Sequence, residues 1–69
     1  TPESENLFEE VMKLPKKYRI VIHLFYYEDY SVKEIAETLK LSQSNVKVRL
    51  SRARALLKES LKGEWNYDE

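Results

Sequence analysis

Apolar residues fall along this chain in four clusters, and none shows the strict alternation of a half-buried strand. In the first, Leu7, Phe8, Val11 and Met12 stand at i, i+1, i+4 and i+5, and Leu14 continues the face. This spacing predicts a helix over residues 3–13. Thr1 is placed to cap it, Pro2 suits the first helical position, and the acids at this end complement the helix dipole. Pro15 stops that helix and opens a second over 16–28. By composition the stretch Tyr18-Arg19-Ile20-Val21-Ile22-His23-Leu24-Phe25-Tyr26-Tyr27 is strand-like, because β-branched and aromatic residues dominate. Helix is still expected, since alternation is absent, no partner strand is visible and Pro15 suits a helix start. Its core stripe is Tyr18, Val21, Leu24 and Phe25, with Ile22 and Tyr26 on another side. A helix apolar on most sides belongs at the centre of its domain or against a partner.

The other two clusters follow capping signals. Ser31-Val32-Lys33-Glu34 is a capping box: the Ser31 hydroxyl can accept the N–H of residue 34, and the Glu34 carboxylate can reach back to the N–H of Ser31. A short helix over 32–39 follows, with Val32, Ile35, Ala36 and Leu39 as its stripe, and Lys40 and Leu41 make a turn. Ser42 then caps a last helix over 43–61. At about 100° per residue, Val46, Leu50, Ala53 and Leu57 share roughly 60° of arc, widened by Leu56 and Leu61. Ser44, Lys47, Val48, Ser51, Arg52, Ala55 and Lys58 take the opposite face, with Arg49 and Arg54 flanking the core stripe. Lys58 and Lys62 suit the helix C-terminus, and Gly63 fits the position just beyond it. Trp65 and Tyr67 lie outside the pattern, either folded back on the core or loose.

The expected fold is therefore all-α, four helices with a C-terminal helix-turn-helix and no wing. The 69 residues, 42 % hydrophobic and 35 % charged, suit one small domain, a length that fits either one domain of a larger protein or a small solo regulator. One Gly and two Pro leave little turn chemistry for a many-stranded β fold. The lack of Cys excludes a disulfide framework, a thiolate nucleophile and a Cys-based zinc site, and the single His excludes a multi-histidine metal cage. No apolar run approaches the roughly 20 residues of a membrane span, and no signal peptide opens the chain, so a cytoplasmic location without membrane contact is expected. So small a chain rarely builds both a core and a closed pocket, so neither enzymatic activity nor a cofactor is expected.

Charge changes this picture more than composition does. The 12 basic and 12 acidic residues balance, but they are segregated. Residues 40–62 hold Lys40, Lys47, Arg49, Arg52, Arg54, Lys58 and Lys62 against the acid Glu59, while Glu3, Glu5, Glu9 and Glu10 lead the chain and Glu64, Asp68 and Glu69 end it. One segment therefore presents a concentrated positive field. It coincides with a capped short helix, a three-residue break and a capped longer helix over 31–54, the layout of a helix-turn-helix. Ala36 allows close approach of the pair, and Ile35, Leu39, Leu41, Val46 and Leu50 can fill the space between. Such a break should make the helices cross steeply and push the front half of 43–61 outward, where a recognition helix meets base edges. Lys47, Val48, Ser51 and Arg52 are the central candidates for groove contact. Ser42, Gln43, Ser44, Asn45, Arg49 and Lys33 are secondary candidates, mostly for phosphate. Val48 suits a thymine methyl. Arg49 is placed either for DNA or for Glu34. His23 reads as a structural or surface histidine, and Glu28 and Asp29 as the end of one helix before the next cap.

These residues resemble region 4 of bacterial sigma factors, nearest the extracytoplasmic-function (group IV) class. Leu14-Pro15 with Tyr18-Arg19-Ile20-Val21 resembles the family's Leu-Pro…Arg-x-Val opening. Tyr30-Ser31-Val32-Lys33-Glu34-Ile35-Ala36-Glu37-Thr38-Leu39 resembles its Tyr/Leu-Ser-x-x-Glu-Ile-Ala-Glu-x-Leu. Asn45-Val46-Lys47-Val48-Arg49-Leu50-Ser51-Arg52-Ala53-Arg54 resembles its Thr-Val-Lys-Ser-Arg-Leu-x-Arg-Ala-Arg. The likeness covers residues 14–61. It implies binding of double-stranded promoter DNA at the −35 element, docking on the β flap of core RNA polymerase, and control by an anti-sigma factor. Ile22, Tyr26, Tyr27 and Tyr30 are candidates for a surface facing polymerase or an anti-sigma factor, although ordinary core packing suits most of them better.

The chain departs from that pattern at three places. Lys40 stands where the family has a turn Gly, Ser44-Asn45 where it has Gly-Thr, and Val48 where it has Ser. Sequence preference therefore does not transfer, and Lys40 carries a cost if the turn needs a left-handed residue. Two alternatives stay open. The LuxR-type output domain shares the Ile-Ala…Val-Lys pattern but usually has His two residues after the Lys, where this chain has Arg49, and lacks the Arg52-Ala53-Arg54 run. A protein-interaction domain without DNA binding would use the apolar side of helix 16–28 instead.

Overall fold

The structure, a computed structural model, describes the backbone of residues 2–66 and the side chains of residues 7–61. Four helical segments run in chain order: α1 (Pro2–Lys13), α2 (Lys16–Ile22) prolonged by a π-helical turn (His23–Tyr27), α3 (Val32–Leu39) and α4 (Gln43–Asn66). No strand occurs among the described residues, as the absence of alternation implied.

The boundaries follow local chemistry in most places. Pro2 opens α1 at the first helical position. Pro15, extended at φ −54° and ψ 148°, breaks the chain, and its carbonyl then accepts the N–H groups of Tyr18 and Arg19 at 3.0 and 2.9 Å to start α2. The Arg19 guanidinium reaches back to the Met12 carbonyl at 3.0 Å, satisfying an acceptor that the end of α1 leaves open. The capping box forms as the spacing implied: Glu34 N–H donates to the Ser31 hydroxyl at 3.1 Å, and Ser31 N–H donates to the Glu34 carboxylate at 2.9 Å. Ser42 caps α4 in the same way, its hydroxyl accepting the Asn45 N–H at 3.1 Å.

One core joins all four helices. Val11 and Leu14 from α1, Val21 and Ile22 from α2, Ile35 and Ala36 from α3, and Val46, Leu50, Ala53 and Leu57 from α4 are buried together. The α4 wheel is thus the expected one, and α4 packs on α1, α2 and α3. Ile35, Leu50, Val21 and Val46 are fully enclosed, each contributing roughly 1.5–3 kcal/mol by removing its side chain from water.

Other expectations need correcting. Of the α1 face, Val11 and Leu14 are buried, but Leu7, Phe8 and Met12 are exposed, because α1 packs mainly on α2 and α4 and offers them a narrow stripe. Glu10, one of the acids that lead the chain, is buried and paired with Lys13 at 3.0 Å. Ile22, expected away from the core stripe, is buried; α2 lies against both α1 and α4 and so uses a second face, as its broad apolar surface implied. Leu56 stays exposed instead of widening the α4 stripe. Helix 16–28 does not run as one α-helix: past Ile22 it widens into the π turn, closed by Glu28 N–H donating to the His23 carbonyl at 3.1 Å. Asp29 then turns left-handed at φ 58°, and Tyr30 N–H reaches the Leu24 carbonyl at 2.8 Å. The last helix continues to Asn66 and passes through Gly63 without ending there. The proposed Thr1 cap, Tyr67 and the side chain of Trp65 lie outside the described residues.

Candidate nucleic-acid interface

The α3–α4 corner is set by the turn between them. Lys40 is left-handed at φ 59° and ψ 46°, the conformation for which the resembling family uses Gly. Its own N–H and that of Leu41 both donate to the Ala36 carbonyl, the latter at 2.9 Å, so α3 ends in a Schellman-like cap. Leu41 packs half-buried on the core and holds the turn down. Ser42 at once starts α4. Two helices joined by a tight, doubly capped turn over a shared apolar seam of Ile35, Ala36, Val46 and Leu50 make a helix-turn-helix.

Burial of that seam decides what the front of α4 shows to solvent. Gln43, Ser44, Asn45, Lys47, Val48, Ser51 and Arg52 are all exposed, as are Ser42 in the turn and Lys33 in the first turn of α3. Among the described residues no hydrogen bond or ion pair engages Lys47 or Arg52, so both cations are open to an outside anion. Arg49 is half-buried, and its Nε donates to Asn45 Oδ1 at 3.2 Å. Among the described residues no ion pair joins Arg49 to Glu34: Glu34 is engaged by Ser31, and Arg49 is braced along α4 by its neighbour one turn earlier. The N–H of Ser31, and then its hydroxyl, hold the Glu34 carboxyl below its ordinary range. The capping box thereby favours the charged form of the acid that completes it.

Arg54 differs from the other cations. Its Nε donates to the Tyr26 hydroxyl at 2.6 Å, and the guanidinium carbon lies 5.5 Å from the Tyr26 ring centroid and 5.7 Å from that of Phe25. By sequence Arg54 belongs to the basic segment and flanks the core stripe; the structure uses it to fasten α4 to the π turn. No sequence signal pairs residues 26 and 54, which are far apart in the chain and brought together only by packing.

The same packing leaves an apolar surface elsewhere. Phe8, Met12, Ile20 and Tyr27 are exposed around a groove between α1 and α2 whose rim carries Lys16, Lys17 and Arg19, and the exposed Leu7 and Tyr26 line a second groove shared with Arg54 and Leu57 of α4. Of the four residues named for such a surface, Tyr26 and Tyr27 are exposed, Ile22 is in the core and Tyr30 is half-buried. His23 stacks on Tyr27 with centroids 5.7 Å apart.

A helix-turn-helix with an uncompensated cationic leading face on its second helix places the chain in the broad class of helical DNA-binding folds. Residues 4–57 match the family described as Sigma-70, region 4, and the chain belongs to that family. It is 39 % identical over 59 residues to the ECF RNA polymerase sigma factor SigW of Bacillus subtilis, covering 86 % of this chain and 32 % of SigW. It is 36 % identical over 69 residues to the RNA polymerase sigma factor SigZ, covering 88 % and 39 %, and 39 % identical over 61 residues to the RNA polymerase sigma factor YlaC, covering 88 % and 35 %, both from the same organism. The chain thus spans about a third of the length of these relatives.

Proposed function

We propose that this chain is domain 4 of an alternative sigma factor of the extracytoplasmic-function class, binding the −35 promoter element and directing RNA polymerase to initiate there. The observation that carries the reading is the front half of α4, where Lys47, Val48, Ser51 and Arg52 are exposed and unengaged on a helix whose opposite face is locked in the core. In this reading those four enter the major groove. Ser42, Gln43, Ser44, Asn45, Arg49 and Lys33 contact chiefly the phosphates, Ser42 while still capping α4. The apolar surface of α1 and α2 is the part offered to protein, supporting docking on the β flap of core polymerase and capture by an anti-sigma factor. The work is binding, without a reaction of its own, and takes place in the cytoplasm, where the polymerase acts.

The test is holoenzyme formation and promoter footprinting with the full-length gene product. An asymmetric footprint at a single −35 site is expected, and a symmetric, dimeric one would point to a LuxR-type domain. Affinity should fall steeply with salt as phosphate contacts release counterions. Arg52→Ala should weaken specific binding by about 1–3 kcal/mol. A polymerase complex without any DNA contact from this domain would instead make it an interaction module.

A further inference from the structure

Val48 is out of place by the rules that govern the front half of α4. It is 44 % exposed and takes no part in the core cluster. A β-branched residue loses side-chain freedom in a helix, so at a solvated position it offers the fold less than Ala, Lys or Gln would. An isolated exposed apolar residue is ordinary by itself; the surroundings of this one are not. Among residues 42–52 every other exposed side chain is polar or charged: Ser42, Gln43, Ser44, Asn45, Lys47, Ser51 and Arg52. Ser44, Ser51 and Arg52 lie at i−4, i+3 and i+4 from Val48 and are its neighbours on the helix surface. Helical side chains lean toward the N-terminus, so Val48 leans toward the end of α4 that a recognition helix sends deepest.

The ligand such a point would take has a narrow description. It is anionic around its edge, to meet Lys47 and Arg52, and it carries a small apolar group set among hydrogen-bonding atoms. A protein surface apolar enough to reward Val48 would have to strip water from those two open cations. A duplex major groove meets the description without that penalty. Thymine presents its C5 methyl there beside the O4 acceptor, and phosphates flank the groove.

We propose that Val48 is a specificity-determining residue that reads the C5 methyl of thymine at one or two adjacent base pairs of the bound duplex. This deepens the promoter-binding reading above and rests on it. Lys47 and Arg52 hold the backbone and neighbouring base edges, while Val48 distinguishes thymine from a base lacking the methyl. Contact with one methyl group is expected to change affinity about fourfold.

The test uses this chain and a short duplex selected from a randomised pool for binding to it. Each thymine is then replaced in turn by deoxyuridine, which removes the methyl and leaves every hydrogen-bonding atom in place. Replacement at one or two adjacent positions should weaken binding about fourfold, and Val48→Ser should erase that thymine–uracil difference while keeping the salt dependence and helical circular dichroism of the parent. Val48→Ala, a better helix former, should retain the fold and lie between the two. Salt-dependent binding in which no thymine responds, or in which Val48→Ser discriminates as before, overturns this inference and leaves promoter binding standing. So does loss of all binding by a folded Val48→Ser variant, because the residue would then act on more than a methyl group. Failure of the parent chain to bind any duplex overturns both.

Discussion

From Ser31 to Leu50 the backbone starts and stops where its nearest neighbours in sequence dictate; from Pro2 to Asp29 it does so only in part. In the first region both helix starts are capped by a side chain within three residues, and the apolar stripe of each helix is the buried one. In the second, the α1–α2 corner is closed by Arg19 reaching seven residues back to Met12, and α2 loses its α-helical period at His23. The π turn delivers Phe25 and Tyr26 to Arg54 on α4, a contact outside any local rule. The difference follows from what each region presents. A surface that must hold cations at fixed spacing is served by a rigid, locally specified scaffold. The α1–α2 region leaves Phe8 at 53 % and Met12 at 50 % exposure and depends on distant contacts to set its shape.

Three measurements sharpen or break this contrast. The largest effect tests whether the two regions are energetically separate. Ile22 and Ile35 lie in different regions but in one core, so Ile22→Ala and Ile35→Ala should each destabilise the chain by about 2–5 kcal/mol. Both should shift a single urea transition followed by circular dichroism. Two resolved transitions, with Ile22→Ala moving one of them alone, would show that α3–α4 stands by itself.

A smaller effect concerns the capping box. Ser31→Ala should cost about 1 kcal/mol. The Glu34 carboxyl is held below its ordinary range by the Ser31 N–H and hydroxyl, against a small opposing effect of burial. A carboxyl so lowered adds stability that is complete above its unfolded-state pKa and disappears as pH falls through its folded-state pKa. Glu10, lowered chiefly by its hydrogen bond to Lys13, acts in the same direction. Glu34→Gln keeps a hydrogen-bonding side chain at this position and removes the titration, so its urea midpoint should decline less on acidification than that of the parent. Parallel pH profiles would remove the capping box from the acid response.

The smallest effect compares the two left-handed residues, one in each region. Lys40 at φ 59° pays for a conformation that Gly adopts freely, so Lys40→Gly should stabilise the chain by about 0.5–1 kcal/mol. Asp29 at φ 58° belongs to a residue type that tolerates this region, and Asp29→Gly should gain less. Thermal unfolding of the two variants ranks them, and a larger gain at residue 29 would reverse the assignment of strain.

What the sequence determined by itself is the part carried by short-range chemistry. The number of helices, both side-chain caps, the α4 stripe and the solvent face with Lys47, Val48, Ser51 and Arg52 all follow from contacts within four residues, where helical periodicity is a reliable guide. The turn at Lys40 was legible as a departure from a family pattern, and its left-handed backbone supplies the reason for that pattern. Tertiary structure alone decided the rest. Whether Ile22 or Leu56 is buried depends on how many helices surround a given face. The π turn and the Tyr26–Arg54 contact arise where bulky side chains from distant segments must share one space. Those outcomes minimise the energy of the whole packed core rather than of any one window of the chain, so no window contains them.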